Sequence, residues 1–437
     1  MSGRRPGRRA PVHKPTDRSV RWEGRTTDVR TCSDARRIHA CQAVPVKPWM
    51  RVAFALFVVG WGANEFSPLL LVYRAENGLT PTFVNAMFAA YVLGLVPALL
   101  GSAALAGRFG HRAVLRPVMV FSALASAVLA IGESNSVLLF IGRVLYGMAT
   151  GAAMAPGSTW VKELSSDAPA GTGARRAAMS LSGGFCLGPV AAGVLAEWVA
   201  GPKVVPYLVH IALTAVAAAV VWNAPMRSQH APDHLVAIGE PDVPATRPSH
   251  AALSTHFWGR IAPMAPWVFA CPSLGLVTIP ALVGQHISGW SIAFSGAMSG
   301  VTLGIGVLVQ QPARDLEAQR PGVVSLLGMV AVLVGIPMVA LVAWQPNPLL
   351  AVAAGAVLGC GYGLNLVGGL TRVEHAADAT HLAMTNAVFY CLTYLGFFLP
   401  MIIAALASRW QTQQVMAGLW IAAVASAAVA LAARRAA

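Results

Sequence analysis

The chain is 437 residues long, 56% apolar and only 11% charged, with a formal net charge of +14. A soluble domain is about a quarter charged, so this chain lacks the polar residues to cover a water-facing surface; a surface facing lipid needs none. The positive charge does not point to nucleic acid, because thirteen of the 31 Lys and Arg residues are concentrated in the first 51 positions, ending at Lys47 and Arg51. Residues 1–48 show no apolar periodicity and read as a disordered basic cytoplasmic tail that helps set topology and touches anionic lipid. No apolar core follows its first basic cluster, so it is not a secretory signal. Met50, just before the first apolar run, marks an alternative start of the chain. Cys32 and Cys41 lack zinc-like spacing, and Cys186, Cys271, Cys360 and Cys391 lie in apolar stretches as small hydrophobes. No metal or cofactor is implied.

A helix needs about 20 mostly apolar residues to cross a bilayer core. Twelve segments meet that requirement: 51–73, 82–106, 115–132, 136–160, 178–199, 204–224, 261–285, 290–311, 322–344, 348–371, 383–407 and 413–433. The stretch 225–258 is polar and carries Pro225, Pro232, Pro241, Pro244 and Pro248, so it cannot span. The expected fold is an all-α integral membrane protein of about twelve spans in two six-helix bundles. Residues 49–224 form the N-terminal bundle, 225–258 a cytoplasmic linker and 259–437 the C-terminal bundle.

Lys and Arg fix the expected orientation. With both ends inside, the cytoplasmic loops and their edges hold twelve: Arg108, Arg112, Arg116, Lys162, Arg175, Arg176, Arg227, Arg247, Arg260, Arg314, Arg320 and Arg372. The outer loops hold three, Arg74, Lys203 and Arg409. Both termini are therefore expected to be cytoplasmic, in a multi-pass protein of the plasma membrane.

Three motifs stand in order in the first six spans. The loop after span two reads Ala103-Ala104-Leu105-Ala106-Gly107-Arg108-Phe109-Gly110-His111-Arg112. Span four carries Arg143-Val144-Leu145-Tyr146-Gly147, and span five carries Gly184, Gly188, Pro189 and Gly193 at the spacing GxxxGPxxxG. Together they resemble the major facilitator superfamily. The first is similar to its signature of a glycine, three residues and Asp-Arg-x-Gly-Arg-Arg, with Arg108, Gly110 and Arg112 matching and Gly107 in place of the aspartate. The second is similar to Arg-x-x-Gln-Gly, with Tyr146 for the glutamine. The third resembles the signature of the drug:proton antiporter branch. In the family the missing aspartate belongs to a charge–dipole latch between the halves. Physically, Gly110 permits a tight turn, the arginines can reach helix C-terminal carbonyls, and the span-five glycines and proline allow close packing and a kink. The run Gln311-Pro312-Ala313-Arg314-Asp315-Leu316-Glu317, read as the loop after span eight, sits where a second loop signature belongs but is degenerate. Gly359, Gly361, Gly363, Gly368 and Gly369 of span ten suggest tight packing or a gate.

An ionisable residue at mid-span costs about 2.5–3.5 kcal/mol on insertion scales. Two residues carry that cost, Glu65 in span one and Arg143 in span four. They are the candidate proton-coupling groups, and antiporters of the resembled branch often keep an acidic residue in the first helix. The alternative is a structural ion pair between them, or Glu65 bonded to Asn64. Helical spacing adds candidates for a substrate cavity: Trp61 and Asn64 of span one, Tyr91 of span two, Asn365 of span ten, and Asn386 and Tyr390 of span eleven. Pro68 shares a face with Trp61 and Glu65, Tyr394 follows Tyr390, and Tyr362 pairs with Asn365. His210 of span six reads as a satisfied core histidine.

The expectation is a monomeric secondary transporter, not an enzyme, that moves a small organic solute between its bundles by alternating access. No phosphate-binding glycine loop with its Lys is present, so an ion gradient rather than ATP is the expected drive, and the resemblance of span five to the antiporter signature implies protons. Proton-coupled efflux is the leading reading. Uptake by symport or facilitated diffusion, and a non-transporting sensor or scaffold, are its rivals.

Overall fold

In a computed structural model of the chain, residues 47–169, 171–225, 255–376 and 382–435 are described. The basic tail up to residue 46 and most of the proposed linker, 226–254, lie outside them. The described residues cluster as one compact unit.

Twelve helices are long and apolar enough to cross a membrane among the described residues. In the first half they are α1 (Pro48–Glu76), α2 (Pro81–Phe109), α3 (His111–Ile131), α4 (Ser136–Glu163), α5 (Thr172–Trp198) and α6 (Val205–Trp222). In the second half they are α7 (Phe257–His286), α8 (Ser291–Gln319), α9 (Val323–Trp344), α10 (Pro348–Ala376), α11 (Met384–Ala407) and α12 (Thr412–Ala433). The described residues contain no strand. The expected all-α fold of two six-helix bundles is present.

Two expected loops are helical. Only Gly110 separates α2 from α3: Ala103–Phe109 continue α2, and His111 already starts α3. Its φ of 85° is open to glycine at little cost, so one residue turns the chain. Likewise Gln310–Gln319 is helix continuing α8 rather than a loop. Glu317, buried there, accepts hydrogen bonds from the Gly322 and Val324 amides at 2.6 and 3.0 Å and so caps the start of α9. Helix also begins at Thr255, within the segment read as linker.

The chain crosses alternately, and side-chain ties define two faces. On the face of Gly110, Arg112 and Arg116 donate to the Ala224 and Trp222 carbonyls at the end of α6. Trp222 is the last residue of α6 and Ala224 lies just past it, where carbonyls lack intrahelical partners. His111 meets Glu163 at 3.0 Å there. Arg108 is exposed and lies 5.3 Å from the ring of Phe109. Arg260 and the Ala433 carbonyl join α7 to α12 at 2.8 Å in the same way.

Within the first half α2 and α4 make the closest seam. A methyl group on Gly94, Gly147 or Gly151 would run into backbone of the facing helix. The two halves meet along α5 against α8 and α2 against α11. The span-five motif divides between these tasks. Gly184 and Gly188 press α5 onto the α1 backbone around Phe57 and Trp61. Gly193 faces the other half, where an added Cβ would stand 2.8 Å from the Ile292 oxygen and 3.1 Å from the Gly296 Cα.

The face opposite Gly110 is closed between the halves. Glu197 accepts hydrogen bonds from the Ile292 and Ala293 amides at 2.6 and 3.1 Å, capping α8 from α5. Ser67 and Ser299 lie 3.2 Å apart, and Asn85 donates to the Pro400 carbonyl at 2.9 Å.

Candidate functional site

Helix α1 is interrupted at Glu65, which joins the helical segments Pro48–Asn64 and Phe66–Glu76. Pro68 causes this locally. It has no N–H for the Asn64 carbonyl, and its ring crowds that oxygen. Ser67 takes up the freed carbonyl, donating to Asn64 O at 2.8 Å. Arg143 donates to the preceding one, Ala63 O, at 3.1 Å.

Glu65 is fully buried and Arg143 nearly so, at 0% and 1% exposure, yet they form no ion pair. Arg143 also donates to the Phe88 carbonyl at 3.2 Å and lies 4.7 Å from the Phe66 ring and 5.0 Å from the Tyr91 ring. Two carbonyls and an aromatic sandwich thus replace a carboxylate partner. Glu65 instead accepts from the Tyr146 hydroxyl at 2.7 Å. Its second oxygen, Oε2, has no hydrogen-bond partner. Asn64, the other partner considered for Glu65, turns away toward the Phe185 carbonyl at 3.5 Å.

The carboxyl belongs to a wider cluster. Tyr146 of α4 also bonds Ser126 of α3, and His210 of α6 lies 2.7 Å from Ser126 Oγ and 3.0 Å from the Tyr146 oxygen. All are buried. Sequence spacing did not assemble this group, whose members come from four helices. The available signal was Tyr146, which departs from the family motif at its glutamine position.

Between the halves lies a cavity of about 310 Å³. Tyr91, Phe269, Tyr394 and Phe397 give it an aromatic wall, with Phe269 stacked on Tyr394 at 4.7 Å. Its lining runs to Lys162 and Gln310, near the Gly110-side ends of α4 and α8, so it extends toward that face. Among the described residues of the lining, Lys162 is the one lysine or arginine, and none is a carboxylate.

Of the residues proposed for a cavity, Asn64, Tyr91 and Tyr390 line it, as do Tyr362 and Tyr394. Trp61, Asn365 and Asn386 are not in its lining. Trp61 packs on Phe57, with ring centroids 5.9 Å apart, and against the α5 glycines. Asn365 is buried beside Gly328 and donates to the Gly361 carbonyl at 2.9 Å. Asn386 is partly buried, with its side-chain oxygen unpartnered. Phe185, Phe269 and Lys162 entered the cavity without a sequence signal, because apolar and helix-end positions of these types occur throughout the chain.

Glu65 and the cavity are neighbours in sequence and space. Asn64 faces the cavity while Glu65 faces the bundle interior, and Tyr91 lines the cavity with one side and stacks on Arg143 with the other. Two helices that border the cavity depart from regular α geometry there. Residues Leu274–Thr278 of α7 form a π-helical turn and Leu395–Phe398 of α11 a 3-10 turn, tied by Ser273 donating to the Gly396 carbonyl at 3.0 Å.

Comparison with known proteins agrees with this architecture. The chain is similar to the crystal structures of the nucleoside transporter NupG and of a point mutant of it. The TM-scores are 0.61 and 0.67, at 14% identity over 89% of this chain and 98% and 99% of theirs. That likeness concerns the fold. In sequence it is 27% identical over 145 residues to Quinolone resistance protein NorA of Staphylococcus aureus strains N315 and MW2. The match covers 33% of this chain and spans 37% of the length of those relatives. The family description "Major Facilitator Superfamily" matches residues 52–401. With that match covering most of the chain and the twelve-helix architecture behind it, this multi-pass membrane protein belongs to the Major Facilitator Superfamily of transporters.

Proposed function

We propose that the chain is a proton-driven exporter of small aromatic molecules, with Glu65 as its coupling carboxyl. The observation that carries this reading is Glu65 itself. It is a buried carboxyl with one unpartnered oxygen, at the break of α1, next to a residue that lines the cavity between the halves. A carboxyl held without an ion pair at a helix break can gain and lose a proton as the break rearranges. Arg143 is the positioning group, holding the Ala63 carbonyl on one side of the break and the Phe66 ring on the other, with Tyr91 of the cavity wall against it.

The cavity supports the substrate class. An aromatic wall of this size suits a planar organic molecule. With Lys162 as a cation and no carboxylate among the described lining residues, it favours neutral or anionic solutes over lipophilic cations. The relation to a quinolone resistance protein supports export of this kind of compound. The likeness to a nucleoside transporter supports uptake of a neutral aromatic solute as the second reading.

The bias of twelve Lys and Arg residues against three supports a cytoplasmic location for both termini and for the Gly110 face, and we retain the plasma membrane as the setting. The state described is then inward-facing, with the outer side closed by Glu197, Ser67 and Asn85. We retain 49–224 and 259–437 as the two bundles, 225–258 as their linker and 1–48 as a cytoplasmic tail.

Everted membrane vesicles with acidified lumens test the reading. Adding norfloxacin should discharge the pH gradient in vesicles with the wild-type chain and leave it intact with Glu65→Gln. Ethidium should have a weaker effect. Accumulation of uridine by intact cells, with no discharge by either drug, would reject export in favour of uptake. Equal discharge by wild type and Glu65→Gln would remove Glu65 from the coupling site.

A further inference from the structure

The cluster around Glu65 contains a second group able to hold a proton. The His210 Nε2 atom lies 3.0 Å from the Val58 carbonyl, which can only accept. Nε2 therefore carries the ring proton, and Nδ1 is left as an acceptor. Two hydroxyls converge on that one acceptor, Ser126 at 2.7 Å and Tyr146 at 3.0 Å, whereas Thr214 lies nearer Nε2, at 3.3 Å against 3.5 Å from Nδ1. A histidine serving only the packing of the core needs one donor at Nδ1. Here the second one, Tyr146, also reaches the Glu65 carboxyl at 2.7 Å. Its single proton faces two acceptors, a carboxylate oxygen and an imidazole nitrogen.

We propose that His210 is a second proton-accepting group of the coupling site, exchanging a proton with Glu65 through the Tyr146 hydroxyl. The proposal rests on Glu65 being the coupling carboxyl. When Glu65 is ionised, Tyr146 donates to it and Ser126 donates to His210. When Glu65 has taken up a proton, its O–H turns to the Tyr146 oxygen and the Tyr146 O–H turns to Nδ1. Transfer then breaks the Glu65 O–H and forms one on Tyr146, while the old Tyr146 O–H breaks and an N–H forms on His210. The products are a carboxylate, an unchanged phenol and an imidazolium, so protons and charge balance. Ser126 meanwhile swings its hydrogen from Nδ1 to the tyrosine oxygen, which the short Ser126–Tyr146 contact allows. Among the described residues, the remaining titratable groups around the cluster are Arg143 of α4, Tyr91 of α2 against it, and the Tyr73–Tyr207 hydroxyl pair of α1 and α6, 3.0 Å apart. Arg143 supplies a fixed positive charge, and the tyrosine pair bonds to itself. The path from Glu65 thus leads to His210, away from the cavity and deeper into the first half.

Infrared difference spectroscopy on the purified full chain, without substrate and with ring-labelled histidine, reads both groups as pH is varied. The protonated carboxyl band lost in Glu65→Gln reports Glu65, and the imidazole band lost in His210→Gln reports His210. Two groups coupled through one hydroxyl titrate as a pair. His210→Gln is therefore expected to displace the Glu65 midpoint by about one pH unit or more. Glu65→Gln should displace the His210 midpoint in turn, and Tyr146→Phe should make each band indifferent to the other substitution. If Tyr146→Phe does not fold, Ser126→Ala leaves Tyr146 the nearest hydroxyl at Nδ1, and the mutual displacement should persist. Bands that titrate independently in the wild-type chain overturn the relay while leaving Glu65 as the coupling carboxyl. If no carboxyl band disappears in Glu65→Gln, the coupling assignment fails first and the relay with it.

Discussion

Arg143 illustrates how a buried charge is tolerated without a counter-charge beside it. Its two terminal nitrogens donate to carbonyls on α1 and α2, and its plane is covered by Phe66 and Tyr91. The guanidinium does what an ammonium cannot, because it spans two acceptors while stacking on rings. Arg143→Met keeps most of the volume but removes two hydrogen bonds from a charged donor, each of which contributes about 1.5–3 kcal/mol. Thermal unfolding of the purified variant should show a loss of that order, and Arg143→Lys should fall between the variant and wild type. If Arg143→Met unfolds like wild type, the two hydrogen bonds do not hold α1 and α2 together and the positioning role assigned to Arg143 is wrong.

At the scale of the helix, the glycines of α5 act on different partners. Gly184 and Gly188 fix α5 to α1 within the first half, whereas Gly193 meets Gly296 of α8 across the halves. Adding a methyl group to a packed interface costs about 1–3 kcal/mol, and where that cost falls depends on whether the interface opens during the cycle. Gly184→Ala is expected to lower thermal stability. Gly193→Ala should hardly change it, but should slow transport at least tenfold by holding α5 and α8 apart. Equal losses of stability in the two variants would show that the α5–α8 contact is as permanent as the α1–α5 contact.

For the whole molecule, the closed face opposite Gly110 rests on a few polar ties between halves that are otherwise joined by apolar packing. The strongest is Glu197, which accepts from two amides at the start of α8. A hydrogen bond to a charged group contributes about 1.5–3 kcal/mol, which corresponds to roughly a ten- to hundredfold change in the ratio of two states. Glu197→Gln should therefore shift the protein toward opening on that face. A cysteine placed at Ser158, in the cavity lining, reports this by labelling with a membrane-impermeant thiol reagent. In the wild-type background labelling should be faster from the Gly110 face, and Glu197→Gln should bring labelling from the other face. Unchanged sidedness would mean that the Glu197 cap does not hold this face shut.

The number of spans and their division into two sixes were legible in the sequence because they depend on a property of single segments. About 20 apolar residues without charge must leave water whatever surrounds them, and the proline-rich polar stretch cannot follow. The rarity of mid-span charge singled out Glu65 and Arg143 for the same reason. Their partners were not legible. Two oppositely charged residues in nearby spans suggested an ion pair, yet Arg143 found carbonyls and rings while Glu65 found Tyr146. The choice depends on angles and distances between four helices, which no spacing along one of them encodes. The same holds for the cavity, where Tyr91 and Tyr390 line the wall and Trp61 packs against α5, although all three are aromatic residues within spans. What an isolated helix requires of its solvent was set by the sequence alone. Which side chains meet between helices was decided by packing, where backbone closeness at the glycine seams determines which faces turn inward.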